Sequence, residues 1–399
     1  MKRVKTGDGG PAVRGSVVLA AWVAGWCVCI VAAPSVADEP IAGRPGSAPI
    51  PRDRPTEARM LAAAGPGFVL HRTDHFLVCN DCDEEVVRAF IWRIEATYDN
   101  IFDFCRRLGI PATHPDRFLE VIFFDSYRGF CNFARGQGSE CTNLTGFFYT
   151  KSNQAVFYNI ADDPGLADLR NRITELERRI DPRELKGGSR PRNDHQRLRA
   201  DRVELIRLQS QRDAEVERLN RLTVQHEVAH QVLYNAGVHT MGARNPGWLV
   251  EGLACLFEAD QDHESDTARS INSLRLRDLK HALGVGPSSR RQSTDELLVD
   301  AFRQRRLLPL VELVQDAELF TRRDQPHLAN YYAQAWSLVH FLHQHHTQAF
   351  ADYIRLVSRR RLGEETSAPR ELRDFESTFG RLDERFQARW ADFVVGLPS

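Results

Sequence analysis

Residues 223–234 read Thr-Val-Gln-His-Glu-Val-Ala-His-Gln-Val-Leu-Tyr and hold the pattern H-E-x-x-H at His226, Glu227 and His230. On a helix, residues four apart share a face and stand about 6 Å apart along the axis. Two imidazoles so placed can share one Zn²⁺, with the Glu beside them set to act as general base toward a water molecule. Val224, Val228, Val232 and Leu233 supply helical periodicity, and neither Gly nor Pro interrupts it until Gly237. Hydrolytic zinc keeps three protein ligands and one open position, so a third ligand has to come from elsewhere in the chain. Glu251 is the candidate, in the stretch Asn245-Pro-Gly-Trp-Leu-Val-Glu-Gly-Leu-Ala-Cys-Leu-Phe-Glu. Pro246-Gly247 opens a second helix and places Glu251 in its first turns. Gly252 and Ala254 are small enough to let that helix lie close beside the first.

H-E-x-x-H followed by W-x-x-E-G-x-A resembles the gluzincin clan of zinc metallopeptidases and, more narrowly, the peptidase-MA-like bacterial families. Gly146-Phe-Phe-Tyr ahead of Ala155-Val-Phe-Tyr, and Tyr331-Tyr-Ala-Gln-Ala-Trp-Ser-Leu-Val-His-Phe-Leu, extend the similarity over roughly residues 70–350. The resemblance implies one Zn²⁺ per chain on His226, His230 and Glu251, with Glu227 as general base and a peptide or protein as substrate. In several members a Tyr or His from the C-terminal region stabilises the oxyanion, and the match puts Tyr332 in that role, with Tyr331 as the fallback. The edge strand of such folds pairs with substrate backbone, a role that falls here to one strand of the 146–159 hairpin. One position departs from the pattern. Thermolysin-like members carry an Asp four residues after the ligand Glu, as partner to a metal-bound His, and this chain has Cys255 there. Another residue has to orient the ligand, or the site is tuned differently.

These residues need a frame, and the chain is long enough to build one. It has 399 residues, 42% hydrophobic and 27% charged, with a formal net charge of −1. That balance gives no case for nucleic acid or an anionic membrane as partner. Lys2, Arg3, Lys5 and Arg14 precede an unbroken apolar run over residues 17–33 and a small-residue site ending at Ala37. Residues 1–37 therefore read as a signal peptide or, uncleaved, a signal anchor, and the rest of the chain as exported to periplasm, envelope or medium. Membrane contact is expected only in the uncleaved case. Residues 38–65, rich in Pro, Ala, Gly and Arg, read as a flexible linker.

The expected fold is α+β and zincin-like: a small mixed sheet, an active-site helix and a mostly helical C-terminal half, with an inserted helical hairpin. Residues 66–160 form the sheet-bearing part, with strands at 67–71, 75–79, 118–124, 146–150 and 155–159 and an amphipathic helix over 86–107. Residues 161–222 form the insertion. Leu166, Leu169, Ile173, Leu176 and Ile180 make a coiled-coil seam, and Leu198, Leu205, Leu208, Val216, Leu219 and Leu222 lie on the apolar side of a second arm beyond the Gly187-Gly-Ser-Arg-Pro break. The second arm can run straight into His226. Arg, Asp and Glu interleave on both arms, which reads as a solvated face or as a surface for a protein partner.

Residues 223–350 carry the catalytic helices, with further helices at 268–282, 295–303 and 330–346, and residues 351–399 one or two more over 371–395. His340, His343, His345 and His346 crowd one helix end, read as a solvated terminus. An exported chain favours disulfides among its six remaining cysteines, with Cys131–Cys141 the preferred pair. Cys79-Asn-Asp-Cys82 has redox-like spacing, but Asp81, Asp83, Glu84 and Glu85 oppose a reactive thiolate, which favours a bridge or buried thiols. The rival to a peptidase is a non-catalytic envelope protein, binding or structural, on a degenerate peptidase scaffold.

Overall fold

The structure, a computed structural model, describes residues 50–138, 140–141, 144–180, 192–259, 270–286, 292–321, 327–361, 364 and 367–398. The leader at 1–37 and the Gly187 break of the hairpin lie outside the described residues. Five strands, β1 (Val69–Arg72), β2 (Phe76–Asn80), β3 (Leu119–Phe124), β4 (Gly146–Tyr149) and β5 (Gln154–Tyr158), form one mixed sheet in the order β1-β2-β3-β5-β4. The inner three run parallel, and each outer strand pairs antiparallel with its neighbour. Phe76, Val78, Val121, Phe123, Ala155 and Phe157 enter the main core, while Leu77, Cys79, Ile122, Phe124, Val156 and Tyr158 enter a second one on the opposite face. Strands buried on both faces need apolar residues at almost every position, and these have them.

The second face is covered by α1 (Arg54–Ala64) and α3 (Tyr127–Gly136), the first by α2 (Glu84–Leu108). Of the linker expected over residues 38–65, residues 38–49 lie outside the described residues, and the described part is corrected: α1 occupies most of residues 50–65. Asp53 caps it, Pro55 stands in its first turn, and Met60 and Leu61 pack beneath the sheet. Glu57 is buried and ion-paired to Arg52 and Arg72, which anchors the helix to β1.

Two long arms follow, α4 (Ala167–Ile180) and α5 (Arg192–Asn220). They lie antiparallel, with Arg172 on Glu204 and Arg179 on Asp201. Ile173, Leu176 and Leu208 close the seam, flanked by Leu169 and Leu205. Leu166 and Leu219, at the base, join the core under the sheet instead. Past Asn220 the chain makes one wider π turn, Arg221–Gln225, and continues directly as α6 (His226–Asn235).

The remainder is helical: α7 (Gly247–Leu256), α8 (Ser273–Leu283), α9 (Thr294–Arg303), α10 (Leu310–Gln315), α11 (Leu328–His345), α12 (Thr347–Ser358), α13 (Ala368–Phe379) and α14 (Glu384–Gly396). The fold is therefore α+β, with one small five-stranded mixed sheet and a mostly helical C-terminal half. No described helix is long and apolar enough to cross a membrane. Gly252 does permit a close approach, but to α11 and not, as expected, to α6. A Cβ there would lie 2.5 Å from Val339 Cγ2 and 2.7 Å from the Ala335 carbonyl oxygen. The expectation of a solvated, histidine-rich end of α11 holds for the exposed His345 but not for His340 and His343. His340 and His343 are buried because α12 and α14 close over that end, with His343 edge-on to Phe104 and His340 against Trp336 and Phe393.

Of the cysteines described, only Cys131 and Cys141 are bonded; Cys79, Cys82, Cys105 and Cys255 are free. Cys79 packs on one face of the sheet and Cys82 against the core of the other, so of the two expected outcomes, a bridge or buried thiols, the free thiols are the one found, with Cys79 buried and Cys82 half-buried. Burial, with Asp81 adding to it, pushes the Cys79 thiol up to about 12, the setting of an unreactive side chain.

Candidate metal centre

The segment from His226 to Leu233 is buried on every side, which is why this ten-residue helix carries so few polar positions without a dedicated neighbour. Gln231 fixes its roll by donating to the carbonyls of Glu120 and Asn153, and Asn235 bonds Asn153. Gln225, one residue before His226, accepts from Arg93 and donates to the carbonyls of Phe257 and Ala259. Those bonds tie α6 to the sheet on one side and to the end of α7 on the other.

So placed, α6 presents His226 Nε2 and His230 Nε2 at 3.1 Å from one another. Glu251 Oε2, from α7, lies 3.1 Å from His226 Nε2 and 3.3 Å from His230 Nε2. The three side chains singled out in the sequence are thus brought together as one group able to hold an ion. Burial opposes ionisation of Glu251, but the two imidazoles hold its carboxyl well below the ordinary range.

Glu227 lies on the neighbouring face. Its Oε2 accepts from the backbone N–H of Phe148, 2.9 Å away, while Oε1 is buried with no hydrogen-bond partner among the described residues. Burial raises its pKa. Phe148 belongs to β4, the edge strand of the sheet, and Gly146 lets that strand press onto the helix. A Cβ at Gly146 would come within 2.8 Å of Phe157 and Thr223. The edge strand expected in the 146–159 hairpin is therefore β4, and it already uses one outward N–H on Glu227.

Of the two tyrosines, Tyr331 donates to the Arg305 carbonyl at 2.9 Å and serves the helical core. Tyr332 faces the metal group, its ring centroid 5.8 Å from that of His226 and 4.9 Å from that of Phe320. Burial first, then the charge of Glu251, pushes its phenol well above the ordinary value, so it stays protonated and able to donate.

Three neighbours escaped the sequence reading. Glu258 Oε1 lies 2.8 Å from His226 Nδ1, the position left open by Cys255, whose Sγ is 3.9 Å from the same nitrogen. Arg275 pairs with both oxygens of Glu258, at 2.6 and 2.7 Å. Burial opposes the charge, but Arg275 holds the Glu258 carboxyl down at about 2. The only signal for Glu258 was its place seven residues, two helical turns, beyond Glu251; nothing local marked Arg275. The third is His239, fully buried past the Gly237 turn, its ring 5.2 Å from that of Tyr234 and neither nitrogen partnered among the described residues. Burial lowers its pKa to about 3, with the nearby His230 acting in the same direction.

A family described as a protein of unknown function (DUF1570) matches residues 220–362, a stretch that includes the π turn, α6, α7, α11 and α12. No curated protein and no solved structure matches the chain.

Proposed function

We propose that the chain is an exported zinc metallopeptidase of gluzincin type, in a zincin-like fold, that hydrolyses peptide bonds in a peptide or protein substrate. The observation that carries this is the triangle of two imidazole nitrogens and one carboxylate oxygen with edges of 3.1, 3.1 and 3.3 Å. Ligand bonds of about 2.0–2.1 Å at tetrahedral angles place neighbouring donors about 3.3 Å apart. The buried Oε1 of Glu227, with no hydrogen-bond partner among the described residues, fits a site built to hold an ion and a water beside it. Bound there, zinc would supply a Lewis acid that activates water and polarises a carbonyl.

The protein's own groups divide the remaining work. Phe148 N–H fixes Glu227 through Oε2, which leaves Oε1 to take a proton from water and return it to the leaving amine. Tyr332 donates to the oxyanion as it develops, and its burial shields that hydrogen bond from water. The remaining outward-facing edge of β4 aligns an extended substrate backbone. Export is supported by the N-terminal basic and apolar segment and by the Cys131–Cys141 bridge.

The experiment is Glu227→Gln assayed on an unstructured protein substrate. Zinc binding should persist while turnover falls by at least about 10²-fold, the scale of general-base catalysis. Retained turnover in this variant would remove the assignment.

A further inference from the structure

We propose that Glu258, locked by Arg275, is the positioning residue that holds His226 as a metal ligand, and that the same guanidinium sets the ring of Tyr332. This rests on the zinc reading of the site.

A histidine ligates through one nitrogen only if the other carries the proton and has an acceptor. For His226 the ligating atom is Nε2, so Nδ1–H needs that acceptor. Glu258 Oε1 supplies it at 2.8 Å, whereas Cys255 Sγ, at 3.9 Å, is a weak and distant alternative. A carboxylate buried to 0% exposure survives only if fully bonded, and this one is. Oε1 accepts from His226 and Arg275 Nη2, and Oε2 accepts from Arg275 Nε and from Asn272 Nδ2 at 2.9 Å. Asn272 is itself held, donating to the Cys255 carbonyl at 3.0 Å and capping α8.

This arrangement separates two roles that the donor atoms alone leave open. His226, Cys255 and Glu258 also come within reach of a single ion. Arg275 bonds both carboxylate oxygens, and its positive charge there opposes a cation on the same oxygens. Glu258 therefore orients a ligand and is not one. The planar fork of Arg275 suits this bidentate task, which a lysine meets with only a point charge. Its far side lies over the Tyr332 ring, 5.5 Å from the centroid. One side chain thus sets both the imidazole that binds the ion and the phenol that faces it.

The test uses the full chain and Zn²⁺ itself, with affinity read by competition against a chromophoric chelator and ligand geometry by the visible spectrum of the Co²⁺ form. Glu258→Gln should weaken Zn²⁺ binding about 10–100-fold, the usual cost of losing an outer partner, and shift the Co²⁺ bands. Arg275→Met should do the same by releasing Glu258, and Arg275→Lys should recover part of the loss. Cys255→Ala should bind Zn²⁺ as the wild type does. Wild-type affinity and an unshifted Co²⁺ spectrum in Glu258→Gln would overturn the proposal, as would a loss confined to Cys255→Ala. A folded wild type that takes up no Zn²⁺ would overturn the metal reading itself, and this inference with it, a result readily told apart from the others.

Discussion

The π turn at Arg221–Gln225 joins two helices built on different physics. Upstream, α5 runs 29 residues yet, among its described side chains, buries only Leu208 and Leu219, and its polar face carries exposed pairs such as Arg207–Glu204. Downstream, α6 has 10 residues, eight of them buried, including both imidazoles and the Glu227 carboxyl. Exposed i,i+3 pairs contribute only about 0.3–0.5 kcal/mol each, so α5 depends on its narrow seam with α4 and tolerates change at single charges. In α6 each polar group has lost its water, and an unmatched one costs about 1–3 kcal/mol. The lesson is that charge density alone does not locate function in this chain. The charged hairpin is cheaply solvated, while a few charges in an apolar setting each have an assigned neighbour or an unfilled one.

The contrast can be broken from the buried side first. Gly252→Ala puts a methyl group into Ala335 and Val339, and α7 must move to admit it. We expect about 2–3 kcal/mol lost in urea melts, together with weaker Zn²⁺ uptake, because the next residue is Glu251. Unchanged stability would show that α7 and α11 are less tightly packed than the structure has them.

A pH series sharpens the comparison. His239 stays neutral in the folded chain down to about 3, whereas an unfolded histidine takes a proton near ~6.5. The unfolded state therefore binds the extra proton between those values, so stability is full above the upper one and falls as pH drops through the window. The slope is at most about 1.4 kcal/mol per pH unit. In metal-free protein, His239→Gln should flatten urea-melt stability against pH between 6.5 and 4. An unaltered slope would place the acid sensitivity elsewhere.

The smallest effect belongs to the hairpin. Arg207→Ala removes an exposed, solvent-screened pair and should leave the urea midpoint where the wild type has it, with Zn²⁺ binding untouched. A large effect would mean that this face is not merely solvated.

Much of this frame was legible because burial on both faces forces apolar runs, and β2, β3 and β5 have them. His226 and His230 were legible because four-residue spacing on a helix is a local fact, and Glu251 because it stands in the first turns of the next helix, in the W-x-x-E-G-x-A stretch. The α1 helix was not, since Met60 and Leu61 give no apolar stripe and its hold on the sheet comes through Glu57 and Arg72. Glu258, Arg275 and His239 were invisible for a related reason. Their roles depend on which helix ends meet in space, and no local period encodes that. His340 and His343 looked like part of a solvated end because α12 and α14 close over them only in the folded chain. Gly252 signalled a close approach correctly, but a glycine does not name its neighbour, and that neighbour is α11.

The central claim is that His226, His230 and Glu251 form one zinc site. Metal analysis of the purified chain beside Glu251→Ala tests it most directly. One zinc per wild-type chain and a marked loss in the variant are expected, with both proteins folded by circular dichroism. A folded wild type that holds no zinc, and takes up none when it is supplied, would contradict the account and turn attention to what the α4–α5 hairpin binds.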